Sequence, residues 1–390
     1  MSKRDVPEKH TEGPMSATDL LIAGGGLAGA CAAFCLSRDG HAVRLLESAS
    51  EPATGASGAA AGSVNPFMAR RARPAWRRDD ALAALRWVAR EAGAEETFAQ
   101  DGVLRPARSA KQAVFFRDTA STHPERTAWL APETAAERFP AVQSPHGALW
   151  IPGGGAANVP ALIEALLRAA REHGATIETG VRVTGWDERP GGVTVEAARD
   201  GTATTFDAAR LLLCVGMGFA AFPALAPLGL RAVKGQTLRL RRPPSLQGER
   251  LPPSLSGSGY VVSPPGSDGT LLAGSTYDHD ARHLRPTDEG RRYILDRVRR
   301  MLPPLEAAEI LEAQAGARVS PPGSPLPAVG PLPGGRAKGH ASGPASDGRV
   351  WVFTALGSRG LLTAPLLARA LPAFFDDPAR IPDAVRAQAA

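Results

Sequence analysis

The sequence predicts an α/β protein whose parallel, Rossmann-like core is interrupted by an inserted α+β region built on an antiparallel sheet. Three observations carry this expectation. An apolar strand runs directly into a glycine-rich turn and a helix at residues 19–39. Further apolar strands end on glycine at 210–216 and 350–357. Two insertions, roughly 78–145 and 223–315, interrupt these core segments, and the second holds short strand-like runs, one helix and Pro-rich loops.

Asp19-Leu20-Leu21-Ile22-Ala23 is an apolar run of the kind that forms a buried parallel strand. It feeds Gly24-Gly25-Gly26-Leu27-Ala28-Gly29, which satisfies GxGxxG, and an Ala-rich helix is expected from Leu27 to Asp39 with Gly40 closing it. A second strand follows from His41 to Glu47. In a dinucleotide site Gly24 permits the tight turn and Gly26 lets the backbone approach a pyrophosphate. Gly29 allows close helix–strand packing, and the helix N-terminus directs N–H groups at phosphate. Glu47, 23 residues past Gly24, stands where an acid accepts hydrogen bonds from a ribose hydroxyl. Residues 54–66 are dense in small side chains, among them Ala56, Ser57, Gly58 and Gly62. They suit backbone laid flat against a planar group, or a flexible linker. A helix is expected over Val159–His173, a strand over Thr176–Val183, and strands again at Arg210–Gly216 and Val350–Leu356. The last ends at Gly357-Ser358-Arg359-Gly360-Leu361, which opens a helix. Strand-like runs at Gly235–Leu240, Gly259–Ser263 and Thr270–Gly274 and a helix near Glu289–Met301 compose the second insertion. Residues 1–18 read as a polar, disordered tail without an apolar leader core, and Pro331–Asp347 as a surface loop.

Composition narrows the function classes. The 390 residues carry 45 Lys plus Arg against 39 Asp plus Glu, and 40 of the basic residues are arginine. The excess is spread along the chain and reads as compositional background. One cluster, Arg70-Arg71-Ala72-Arg73-Pro74-Ala75-Trp76-Arg77-Arg78, is dense enough to contact phosphates and stack on bases, or to be a solvated helix start. Three cysteines form neither a disulfide framework nor a metal spacing, so a reduced, cytoplasmic setting without a metal is expected. Cys31 and Cys35 fall at i, i+4 on the first helix as packing residues. No apolar run reaches the roughly 18–20 residues of a membrane-spanning helix. No second GxGxxG with its own acid and no CxxC appears, which argues against a built-in nicotinamide site.

The stretches LLIAGGGLAGACAAFCLSRDGHAVRLLE, GASGAAAGSVNP, GQTLRL, GYVVSP, LLAGSTYD, AGARVSPPGSPLPAVG and FTALGSRGLLTAPLLARAL, in that order over residues 19–372, resemble the D-amino-acid oxidase family of FAD-dependent oxidoreductases. Within it they resemble glycine oxidase and the flavin-dependent half of the bifunctional enzyme that completes 5-methylaminomethyl-2-thiouridine in tRNA. The resemblance implies noncovalent FAD, since no Cys or His lies in the C-terminal flavin-facing stretch. It also implies oxidation of the C–N bond of a small amine or amino acid, with hydride passing to flavin N5. The alternative is oxidative removal of the carboxymethyl group from a wobble uridine. That branch carries a fused methyltransferase, which nothing in this sequence matches, so the small-molecule reading stands first and tRNA second among partners.

The same resemblance implies the site residues. Gly24, Gly26, Leu27, Ala28, Gly29, Glu47, Ala56, Ser57, Gly58, Gly62, Val183, Cys214, Gly216, Gly357, Ser358, Arg359, Gly360 and Leu361 are the cofactor candidates. Arg318 matches the arginine of a G-x-R-P-like turn that grips the substrate carboxylate, although Val319-Ser320 here precede Pro321. A surface or domain-bridging arginine is the alternative. Tyr260 matches a Tyr-x-x-Pro strand whose hydroxyl faces substrate, or else packs. Tyr277 is expected to be structural and His279 to lie in a solvated turn, while Arg70, Arg71 and Arg73 are the candidate polyanion contacts. The resemblance divides the chain into a discontinuous FAD-binding domain (19–77, 146–222 and 316–390) and a substrate domain (78–145 and 223–315).

Overall fold

The computed structural model describes residues 18–248, 251, 254–267, 269–280, 283–333 and 348–390. All but Thr18 of the expected tail, and residues 334–347 of the expected loop, lie outside the described residues. Among the described residues no helix is long and apolar enough to cross a membrane.

The first sheet has a parallel centre. Thr18–Ala23 pairs with Val43–Leu46 on one side and with the second half of Thr202–Leu213 on the other. Thr176–Glu178 and Val350–Thr354 extend it outward, also parallel. Strands buried on both faces need continuous apolar sequence, which LLIA and RLLL supply. Helices Leu27–Arg38, Arg78–Glu91, Val159–Glu172 and Gly360–Ala368 share one core on one face of this sheet, with Phe34, Leu85, Leu166 and Leu371 fully buried. Leu27–Arg38 is buried along nearly its whole length because it is wedged between sheet and helices, so small residues suit it.

The strand expected over Thr176–Val183 is two strands. Gly180 takes φ +71° and ends the parallel run at Glu178. Val181–Arg189 then turns into an antiparallel meander with Gly192–Arg199 and the first half of Thr202–Leu213.

The second sheet has eight strands, ordered Ala128–Leu130, Ala148–Ile151, Val103–Pro106, Ser254–Ser256, Tyr260–Val262, Thr270–Gly274, Arg231–Arg241 and Ile310–Ser320. Its pairs are antiparallel except Val103–Pro106 with Ser254–Ser256. Helix Asp288–Met301 places Ile294 and Val298 against Leu238, Leu271 and Ala273. Two placements differ from the expected segment boundaries. Ala148–Ile151 pairs with Val103–Pro106 in this sheet, where Trp150 meets Phe139 at 5.5 Å, rather than in the nucleotide-binding segments. Ile310–Ser320 runs unbroken across residue 316, because its ladder with Arg231–Arg241 continues to Arg231 opposite Ser320.

Candidate functional site

A cavity of about 500 Å³ lies where the carboxyl ends of the parallel strands face the second sheet. This is the position open α/β sheets use for ligands. Its floor is the turn Gly24–Ala28, with Glu47 at the end of the neighbouring strand. Gly26 is the N-cap of Leu27–Arg38, and no side chain caps that helix from the cap position. The Leu27 N–H instead donates to Ser57 Oγ at 3.1 Å, which ties the small-residue loop to the helix start. Glu47 is fixed by three donors: the Gly25 N–H at 2.6 Å on one oxygen, and the Ala49 N–H and Ser48 hydroxyl on the other. The far wall is the turn Ala355–Leu361 before the second uncapped helix, Gly360–Ala368, where burial holds Arg359 below its usual range. Thr354 Oγ1 is buried at this wall with no hydrogen-bond partner. Two helix starts and an orphaned buried hydroxyl as donors, with an acid at a strand end as acceptor, suit a phosphate-, ribose- and ring-bearing cofactor.

The cavity brings together Gly24, Gly26, Leu27, Ala28, Glu47, Ala56, Ser57, Gly62, Val183, Cys214, Gly216, Gly357, Ser358, Arg359, Gly360 and Leu361 from the expected cofactor set. Gly29 and Gly58 do not line it. They stand behind it: a Cβ on Gly29 would sit 1.9 Å from the Gly24 carbonyl oxygen, and one on Gly58 2.1 Å from that of Ala53. Burial pushes the Cys35 thiol up to about 12 and raises Cys31 and Cys214 also, so all three remain thiols and act as packing groups.

Arg318 and Tyr260 line the second-sheet side. Arg318 is inside strand Ile310–Ser320, opposite Val233, and not in a turn. Val319-Ser320 simply continue the ladder. Its Nη2 donates to Ser275 Oγ at 2.6 Å and toward the Thr276 carbonyl at 3.5 Å, and its Nη1 is buried with no partner. The guanidinium lies over Gly235, where a Cβ would come within 2.3 Å of Nη2. Tyr260 likewise lies over Gly274, whose Cβ would meet the phenol oxygen at 2.5 Å. Burial pushes the Tyr260 phenol up, against the opposing pull of Arg318 and the Ser275 hydroxyl, so it remains a neutral donor. Gly235, Gly274 and Ser275 are neighbours of these two side chains that the sequence patterns did not single out. For the two glycines the signal was a glycine inside a β-rich run, which marks a close approach. Tyr277 also departs from expectation: it is exposed at the cavity edge, with the Arg318 guanidinium 4.3 Å from its ring centre. His279 is an exposed residue outside the lining.

The pattern that defines DAO, the FAD dependent oxidoreductases, matches residues 19–372. The chain belongs to the DAO family. FAD is therefore the cofactor for which this set of donors and acceptors is read. The DAO fold is also seen in solved structures: glycine oxidase from Geobacillus kaustophilus superposes with a TM-score of 0.75 at 24% identity over 91% of this chain and 93% of that one. Iminodiacetate oxidase from Chelativorans sp. BNC1 gives 0.74 at 23% identity over 95% and 100%. Among curated DAO relatives, the tRNA 5-methylaminomethyl-2-thiouridine biosynthesis bifunctional protein MnmC of Burkholderia cenocepacia is 33% identical over 372 residues, covering 90% of this chain and 56% of that protein. The chain thus spans about half the length of the curated relatives it matches.

If the cavity holds FAD, Glu47→Ala is expected to weaken its binding about tenfold or more, since hydrogen bonds to a charged group are worth roughly 1.5–3 kcal/mol. Titrating apoprotein with FAD and following flavin fluorescence measures it.

Proposed function

We propose that the chain oxidises the C–N bond of a carboxylate-bearing amine with noncovalently bound FAD. The observation that carries this reading is Arg318: a guanidinium fixed through Nη2 whose other nitrogen is buried at the cavity and unpartnered. Such a donor suits a substrate carboxylate, which would fix the α-carbon relative to the cavity wall. Tyr260 offers a neutral hydroxyl beside it. Bound FAD would supply the hydride acceptor. Among the described lining residues Glu47 is the only carboxylate and no histidine is present, so the chain's own groups bind and orient rather than abstract a proton at Arg318. The structural neighbours named for glycine and iminodiacetate oxidation fit this class, an amine beside a carboxylate.

Anaerobic bleaching of the visible flavin band, screened with sarcosine, glycine, iminodiacetate, proline, D-amino acids and modified tRNA, tests the proposal. Bleaching by a carboxylate-bearing amine is the expected result; a spectrum unmoved by every amine overturns it. Flavin released by denaturation without proteolysis would support noncovalent attachment.

A second reading, oxidative removal of a carboxymethyl group from a wobble uridine, is favoured by the MnmC relatives and by one surface feature. Arg70, Arg71 and Arg73 lie not on a helix start but on a hairpin, Phe67–Met68 paired with Arg73–Pro74, that continues from cavity residue Met68. Buried Arg105 donates to the Phe67 and Ala69 carbonyls, Gln112 to that of Arg70 and Thr119 to that of Arg71. The hairpin is thus tied from within while its three arginines are exposed and, among the described residues, meet no carboxylate. Arg77 and Arg78 stand at the start of helix Arg78–Glu91, the alternative the sequence offered for this cluster, and pair with Asp80 and Asp79, while Trp76 packs on the core. Replacing Arg70, Arg71 and Arg73 together by alanine is expected to weaken tRNA binding at least tenfold and to reduce its salt slope by roughly 2–3. No gel shift at low salt with the unmodified protein overturns this reading.

A further inference from the structure

Six large apolar side chains are exposed among the described residues, and three of them, Met217, Tyr277 and Leu284, line the cavity described above, at 41%, 60% and 41% exposure. A single exposed apolar residue is ordinary; three in the lining of one cavity offer apolar surface to a ligand. Tyr277 is tied to the anchoring group. Its ring lies 4.3 Å from the Arg318 guanidinium, and it directly follows Ser275 and Thr276, which hold that guanidinium. A substrate whose carboxylate meets Arg318 Nη1 therefore has an aromatic face beside it.

Resting on the amine-oxidation reading, we infer that the preferred substrate bears, on its amine nitrogen, a planar aromatic or heteroaromatic substituent that stacks on Tyr277, with Met217 and Leu284 at its edges. A methyl group on that nitrogen leaves the apolar rim in water, whereas a ring covers it. Tyr277 is then a specificity residue. It sorts amines by their substituent, while Arg318 sorts them by their carboxylate.

The test uses FAD-loaded enzyme and two ligands with sulfur in place of the amine, (methylthio)acetate and (benzylthio)acetate, so that affinity is read from flavin absorbance without turnover. The benzyl ligand is expected to bind at least about tenfold more tightly, the scale of stacking on one aromatic side chain. Tyr277→Phe keeps that ratio and Tyr277→Ala brings it within about twofold. Because both ligands use Arg318, the ratio cancels any loss of guanidinium alignment. A ratio near one in the unmodified enzyme, or one unchanged by Tyr277→Ala, overturns the inference. Turnover of sarcosine and N-benzylglycine in the same preparations separates the failures. If either amine is oxidised while the ratio is near one, the Tyr277 subsite falls and amine oxidation stands. If neither is oxidised and neither thioether binds, both fall.

Discussion

Replacing Gly29 by alanine is expected to cost at least about 3 kcal/mol of stability and to strip FAD from the protein. The new methyl would stand 1.9 Å from the Gly24 carbonyl oxygen and 3.5 Å from Cys214 Cβ. Neither the Gly24 oxygen nor the helix backbone can rotate away, so the helix must lift off the strand. That movement opens the turn on which a pyrophosphate would sit. The sign is informative, because alanine in a helix interior is otherwise favoured over glycine by about 1 kcal/mol. Gly40→Ala is the control. Gly40 has φ +92° but nothing within 4 Å of a Cβ, so only backbone strain of about 1 kcal/mol is expected. Urea midpoints and the flavin-to-protein ratio of both variants decide the matter. Equal costs would remove close packing as the reason for Gly29.

This contrast shows where sequence reading succeeds and where it stops. The strand, GxGxxG turn, helix and terminal acid are legible because local spacing sets them, and the structure finds them within a residue or two. Whether a given glycine faces a ligand or another backbone is not local. Gly26 lines the cavity while Gly29 and Gly58 stand behind it, and all three look alike in the chain. Long-range pairing hides in the same way. Nothing near Ala148–Ile151 announces that its partner is Val103–Pro106, and nothing near Tyr277 announces that Arg318, 41 positions on, sits against its ring. The arginine cluster shows a third limit. Its five cations are equal in the sequence, yet Asp79 and Asp80 neutralise two of them, and a buried Arg105 that the pattern never touched shapes the turn bearing the other three.

Arg318→Ala is expected to raise KM for a carboxylate-bearing amine at least tenfold while FAD stays bound. The scale follows from a hydrogen bond between charged groups, roughly 1.5–3 kcal/mol. The two halves of the guanidinium do different work. Nη2 is engaged by Ser275 and Thr276 and fixes direction, whereas Nη1 is buried and free to receive the carboxylate. A lysine has one ammonium on a flexible stem and cannot serve both, so Arg318→Lys should recover part of KM and little of kcat. If the carboxylate contact also sets the position of the α-carbon, kcat falls together with kcat/KM in the alanine variant. Gly235→Ala separates charge from position. Its Cβ would press within 2.3 Å of Nη2, displacing the guanidinium without deleting it. A kinetic loss in Gly235→Ala like that in Arg318→Ala, with flavin retained in both, would mean that placement of the cation governs turnover. A loss confined to Arg318→Ala would mean that its charge alone suffices, and an unchanged KM in both would remove Arg318 from the substrate site.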